Sequence, residues 1–140
     1  MHKILVVEDE PSVSEMVKCC LEEEGHMVIT VATGKMGINW VKEGKPDLAI
    51  IDLGLPDING IEVCKAIKEN PATRTVPVII LTGDSSNKAR IENRLFAQAN
   101  LYLNKPIAVD DLKKAVAKLL DKAEKEKLLF RSSINFRKFT

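Results

Sequence analysis

At 140 residues the chain has the length of a single domain with room for a sizeable core. A composition of 45% hydrophobic and 29% charged residues excludes a disordered chain, and no apolar run approaches the length that spans a membrane. A formal net charge of +1 singles out neither nucleic acid nor a membrane surface as a partner.

In chain order, Ile4-Leu5-Val6-Val7 predicts a first strand that runs into Glu8-Asp9. A helix follows over Pro11–Glu24, where Val13, Met16, Val17, Cys20 and Leu21 form one apolar face. Ser12 and Glu15 read as its capping box and Gly25 as its stop. Met27–Val31 predicts the second strand, and Gly34–Glu43 a short helix closed by Gly44 and Pro46, with Trp40 packing on its inner side. The third strand, over 47–51, ends at Asp52, and after the loop 53–58 a helix starts at Asn59 as cap with Glu62 as return acceptor. Ile61, Cys64 and Ile67 face inward on it, and Pro71 and Pro77 bracket a polar connection. Val78-Ile79-Ile80-Leu81 predicts a fourth strand ending at Thr82. The helix over about 86–97 is the most polar, anchored by Ile91, Leu95 and Phe96. A fifth strand, Leu101–Leu103, leads into Asn104-Lys105-Pro106, and Val109, Leu112, Val116, Leu119 and Leu120 mark the last helix.

Five strands alternating with helices predict a (βα)5 domain with a parallel sheet covered on both faces, because strands apolar throughout are buried on both sides. Ligands of such sheets sit at the carboxyl ends of the strands. That edge collects Glu8, Asp9, Asp52, Thr82 and Lys105. Each has a plainer use taken singly: the acids can complement a helix N-terminus, Thr82 can cap a helix, and Lys105 can be solvated. Together they make a chemical site. Three carboxylates at one point repel one another, and a hard divalent cation with oxygen preference, Mg²⁺ or Mn²⁺, relieves the repulsion. Lys105 and Thr82 supply donors for phosphoryl oxygens, and a carboxylate within reach is then a competent nucleophile.

Cys19, Cys20 and Cys64 have no metal-ligand spacing and read as reduced, small apolar residues of a cytoplasmic protein. The chain starts directly on a strand, so no leader is expected. His2 and His26 are expected at the surface without acid–base roles. Residues 121–140 carry six basic and three acidic side chains and three of the four phenylalanines. Their expected organisation is a continued helix or a linker tail over 122–140, with Leu128-Leu129-Phe130, Ile134, Phe136 and Phe139 exposing apolar groups.

These residues resemble the receiver domain of two-component response regulators. The resemblance is carried by Val7-Glu8-Asp9-Glu10-Pro11, by Asp52-Leu53-Gly54-Leu55-Pro56-Asp57-Ile58-Asn59-Gly60, by Leu81-Thr82-Gly83 and by Tyr102-Leu103-Asn104-Lys105-Pro106. It implies a flavodoxin-like doubly wound fold with strand order 2-1-3-4-5, and a receiver over residues 1–121. It further implies that Asp52 accepts a phosphoryl group from a histidine kinase or histidine phosphotransfer protein. Glu8, Asp9, Asp52 and the Gly54 backbone carbonyl would hold the metal, and Thr82 and Lys105 the phosphoryl oxygens. Tyr102 would move with Thr82 as a switch, and the Lys105–Pro106 peptide would be cis. The switch surface is that of the fourth helix, fifth strand and fifth helix, and a phosphorylation-dependent homodimer is one output. The output domain or partner is not specified.

Three positions depart from the family pattern. Gln98-Ala99 stands where Gly-Ala is usual, which strains Gln98 if φ there is positive, while Gly54 and Asp84 are expected to set the phosphorylated-state lifetime. Two other readings compete with an isolated signalling module: a receiver segment of a hybrid kinase or cyclic-dinucleotide enzyme, and an aspartyl-phosphate phosphatase. The phosphatase would carry a second acid two residues after the nucleophile, where Gly54 stands. The module itself is expected to turn over no separate substrate, catalysing only its own phosphorylation and dephosphorylation. No helix-turn-helix follows, so DNA contact by these residues is not expected.

Overall fold

The computed structural model describes residues 1–83 and 98–139, with side chains through Arg131. The helix expected over 86–97, with Ile91, Leu95 and Phe96, and Asp84 lie outside the described residues. Within them the order is β1 (Lys3–Val7), α1 (Pro11–Glu23), β2 (Met27–Val31), α2 (Gly34–Gly44), β3 (Leu48–Asp52), α3 (Gly60–Glu69), β4 (Val78–Thr82), β5 (Leu101–Asn104) and a C-terminal helix (Val109–Phe139). All strand pairs are parallel, in the order β2-β1-β3-β4-β5.

Burial follows the strand sequences. Every residue of β3 and β4 is buried, as continuous Val/Ile/Leu runs require when both sheet faces are covered. Alternate side chains point to opposite faces and build two cores. Ile4, Val6, Leu48, Ile50, Ile79 and Leu81 meet Val17 and Leu21 of α1 and Leu112 and Val116 of the C-terminal helix. Leu5, Val7, Ala49, Ile51 and Ile80 meet Val41 of α2 and Val63, Cys64 and Ile67 of α3. Each fully buried Val, Leu or Ile among them stabilises by about 1.5–3 kcal/mol relative to exposure. Ile61 is partly buried and packs on this second core as expected, and Val63 joins Cys64 and Ile67 on the inner face of α3. The cysteines are free, with Cys19 exposed and the other two buried.

Helix ends show one correction to the sequence reading. The expected Ser12–Glu15 capping box does not form: Glu10 occupies the N-cap without a side-chain hydrogen bond, and Pro11 opens the helix. Proline's fixed φ starts a helix readily at its first position, which moves Ser12 inside the first turn. As expected α2 closes at Gly44, and Lys45 follows as a left-handed cap, with φ 46°. Gly44 serves packing, because a Cβ there would fall 2.2 Å from the Trp40 ring. Gly25 stops α1 as expected. Its φ is 88°, its N–H donates to Glu22 O at 3.0 Å, and the N–H of His26 donates to Leu21 O at 3.2 Å, the two bonds of a Schellman end. Asn59 caps α3, its side chain accepting from Ile61 N at 2.8 Å.

The C-terminal helix runs unbroken for 31 residues, about 46 Å at 1.5 Å per residue. Leu112 to Leu120 seat it on the sheet, and beyond them Leu128, Leu129 and Phe130 are exposed. His2 and His26 are half-buried at the amino edge, and His2 Nε2 lies 2.5 Å from Glu124 Oε1 on this helix. No helix among the described residues is long and apolar enough to cross a membrane.

Candidate functional site

The register of the sheet assembles the site. Asp52 closes β3 opposite Leu81, and Thr82 closes β4 opposite Asn104 of β5. Glu8 and Asp9 follow β1 directly, and the Glu8 N–H is held by Val31 O at 3.0 Å. Lys105 follows β5, its N–H donating to Thr82 O at 2.9 Å, and its peptide bond to Pro106 is cis. Chain order reverses between β1 and β3, and the crevice at such a reversal is where open α/β sheets bind ligands.

Lys105 is the hub. Its Nζ lies 3.0 Å from Asp52 Oδ1, 3.2 Å from Glu8 Oε1 and 3.7 Å from Glu10 Oε1. Burial alone would pull this ammonium down, but hydrogen bonds and charge from Asp52 and Glu8 outweigh it and raise its pKa. Glu8 is pushed the other way from an ordinary carboxylate. Its burial, then the charge of Asp52, raise its pKa despite the hydrogen bond from Lys105. Glu8, Asp52 and Thr82 are all at least 95% buried, whereas Asp9 is exposed.

One oxygen of each of Glu8, Asp9 and Asp52 lies within 4.8 Å of the others. Glu8 Oε2 is buried without a hydrogen-bond partner. Hard carboxylate oxygens converging on one point, one of them unsatisfied, fit a divalent cation such as Mg²⁺. Gly54, exposed on the loop after β3, leaves that side open: nothing lies within 4 Å of where a Cβ would be. Tyr102 is partly buried in β5, opposite Ile80 and packed on the core under α2 and α3.

Two residues escaped the sequence reading. Glu10, named only within the run that carries the resemblance, is a third acid beside Lys105. Asp57, on the loop after Asp52, accepts from the first two amides of α2, Gly34 N at 2.8 Å and Lys35 N at 3.0 Å. Those two hydrogen bonds are the main cause of its carboxyl being held down at about 2. Both stand in the runs that carry the resemblance, but their partners are remote in sequence, so no role could be read for either from its neighbours.

Fold and site together define a doubly wound α/β domain whose topological switch point gathers three carboxylates and the Lys105 ammonium. The chain belongs to the response regulator receiver domain family, which it matches over residues 4–117. It is 36% identical over 128 residues to the phosphate regulon transcriptional regulatory protein PhoB of Rhizobium meliloti, covering 91% of this chain and 56% of that protein. It thus spans about half the length of the curated relatives it matches. The signal receiver domain of a signal transduction histidine kinase from Syntrophus aciditrophicus superposes with TM-score 0.81 at 33% identity, covering 87% of this chain and 92% of the other. The receiver domain of sensor histidine kinase PA1611 from Pseudomonas aeruginosa, with a magnesium ion coordinated in its active-site cleft, superposes with TM-score 0.79 at 29% identity, covering 86% and 98%. The chain is therefore a receiver domain of two-component signalling with the flavodoxin-like fold, and this does not favour the phosphatase reading.

Proposed function

We propose that Asp52 is the phosphoacceptor, taking its phosphoryl group from a histidine kinase or histidine phosphotransfer protein. Glu8, Asp9, Asp52 and the Gly54 carbonyl would hold Mg²⁺ or Mn²⁺, and Thr82 and Lys105 the phosphoryl oxygens. The observation that carries this reading is the placement of Lys105 Nζ 3.0 Å from Asp52 Oδ1, at the edge where three carboxylates converge.

A carboxylate oxygen of Asp52 attacks phosphorus as the P–N bond to the donor imidazole breaks, and the imidazole leaves with the bonding pair. A bound divalent cation supplies charge neutralisation for the phosphoryl oxygens and the flanking carboxylates. Lys105 neutralises the opposite side and orients the acceptor, and Thr82 donates its hydroxyl to a phosphoryl oxygen. Phosphorylation adds a charge of about −1.5 to −2 at neutral pH. Thr82 and Lys105 follow the new oxygens, and Tyr102 moves into the space beside Thr82. The surface formed by β5 and the C-terminal helix then changes its affinity for a partner or a second copy, with coupling of about 1–3 kcal/mol. On this reading residues 1–121 are the receiver, 122–140 its C-terminal extension or linker tail, and the domain works in the cytoplasm, catalysing only its own phosphorylation and dephosphorylation.

The test is Asp52→Asn against the wild type with a labelled small phosphodonor and Mg²⁺. Wild type incorporates label that alkaline hydroxylamine removes, and Asp52→Asn incorporates none. Equal labelling of both proteins would refute the assignment.

A further inference from the structure

We propose that Asp57 is a positioning residue for the metal centre, anchoring the loop after Asp52 so that the Gly54 carbonyl is held in place for the cation; this rests on the metal reading above. The loop is pinned at both ends. At its start, Leu53 N donates to Leu81 O at 2.9 Å, and Gly60 N donates to Leu53 O at 2.9 Å. Gly60 lies so close beneath that a Cβ would fall 2.2 Å from the Asp52 carbonyl oxygen.

The far end is held by Asp57 and Ile58. Asp57 Oδ1 and Oδ2 accept from Gly34 N at 2.8 Å and Lys35 N at 3.0 Å. These amides have no intrahelical acceptor, and the partial positive charge of a helix start favours an anion there. Ile58 lies flush on Gly34, where a Cβ would fall 2.5 Å from Ile58 Cγ1. Between the two anchors stand Gly54, Leu55 and Pro56. Gly54 has no side chain to hold it, so its carbonyl is placed by the anchors on either side. Pro56 stiffens the span by its fixed φ.

Asp57 also caps α2, so its loss has a purely structural effect that must be separated. Thr33 supplies the control: its Oγ1 accepts from Met36 N at 3.2 Å at the same helix end without touching the loop. Mg²⁺ is titrated calorimetrically into the full chain as wild type, Asp57→Ala, Asp57→Asn, Thr33→Ala and Asp52→Asn, with thermal melts without metal. Groups that orient metal ligands typically account for 10–100-fold in affinity, so Asp57→Ala is expected to weaken Mg²⁺ by about tenfold. Thr33→Ala lowers the melting temperature and keeps the wild-type affinity, and Asp57→Asn, retaining one acceptor oxygen, falls between. Wild-type affinity in Asp57→Ala, or an equal loss in Thr33→Ala, overturns the inference while Asp52→Asn still binds weakly. Wild-type affinity in Asp52→Asn as well, or no binding by the wild type, overturns the metal reading itself and the inference with it. If Asp57→Ala does not fold, Asp57→Asn decides by the same criterion.

Discussion

Replacing Glu8 by glutamine removes a buried charge with one unsatisfied oxygen and gives a discriminating test of the site. At an effective dielectric of about 20, attraction to Lys105 at 3.2 Å is worth about 5 kcal/mol and repulsion from Asp52 at up to 4.8 Å about 3.5 kcal/mol. Burying the carboxylate costs several kcal/mol more, on the order of the penalty for any ion taken from water. Lys105 is shared with Asp52 and Glu10, so it does not offset both opposing effects for Glu8. The raised pKa of Glu8, caused first by burial and then by Asp52, has the same sign. Glu8→Gln should therefore stabilise the Mg²⁺-free protein by about 1 kcal/mol, a rise in Tm of about 3–5 °C for a domain of this size. It should also lose most of the stabilisation by Mg²⁺, which for the wild type at ten times Kd is about 1.4 kcal/mol.

The pH dependence has a definite sign. Because the folded pKa of Glu8 lies above 4.5, the native protein binds a proton that the unfolded chain has already released. Without metal, the wild type holds this contribution fully below pH 4.5 and loses it as pH rises through the folded pKa. Glu8→Gln lacks that slope, and saturating Mg²⁺ should suppress it in the wild type. Urea denaturation from pH 4.5 to neutrality, with and without Mg²⁺, measures all three effects. A glutamine variant less stable than wild type without metal, with the same pH slope, would refute the charge argument.

Two backbone positions yield further predictions. Gly60→Ala places a methyl 2.2 Å from Asp52 O and 2.8 Å from Leu53 Cα, backbone atoms that cannot rotate away. A loss of about 2–3 kcal/mol in urea denaturation is expected, and one within about 0.5 kcal/mol, typical of a neutral surface change, would contradict the packing. Gln98 has φ 57°, so Gln98→Gly relieves about 1–2 kcal/mol of left-handed strain against about 0.5–1 kcal/mol of added chain entropy. The expected Tm rises by a few degrees, and a fall would show that the Gln98 side chain contributes more than its backbone costs.

The site was legible in the sequence because its members sit at strand ends, and strand ends are what apolar runs mark most clearly. Once β1, β3, β4 and β5 are parallel and in register, Glu8, Asp52, Thr82 and Lys105 converge without any contact having been foreseen. Gln98 was legible for a different reason: a residue standing where glycine is usual points to a positive φ. What could not be read depended on contacts between remote segments. Asp57 reaches α2 amides 22 and 23 residues earlier in the chain. At the close of α2 the glycine was visible, but neither the Trp40 ring against it nor the left-handed cap at Lys45 was. The capping box failed because Pro11 and Ser12 offered competing helix starts, and the proline took precedence.

The charge count of the site bears on why phosphorylation should depend on a divalent cation. In the resting arrangement the Lys105 ammonium is the one cation within 4 Å of Glu8, Glu10 or Asp52 among the described residues. A phosphoryl group on Asp52 replaces one negative charge with about two and draws Lys105 toward its oxygens. Glu8 would then stand 97% buried with its hydrogen bond from Lys105 weakened and its Oε2 still unsatisfied. Breaking one side of a buried ion pair costs about 3–5 kcal/mol, more than the coupling of about 1–3 kcal/mol that such a switch transmits. Without a second cation the phosphorylated state would therefore give up more stability than its switch conveys. With one held by Glu8, Asp9 and Asp52 on the proposed reading, Lys105 would be released to follow the phosphate, and the same carboxylates that destabilise the resting site would become the ligands that make the modified one tenable.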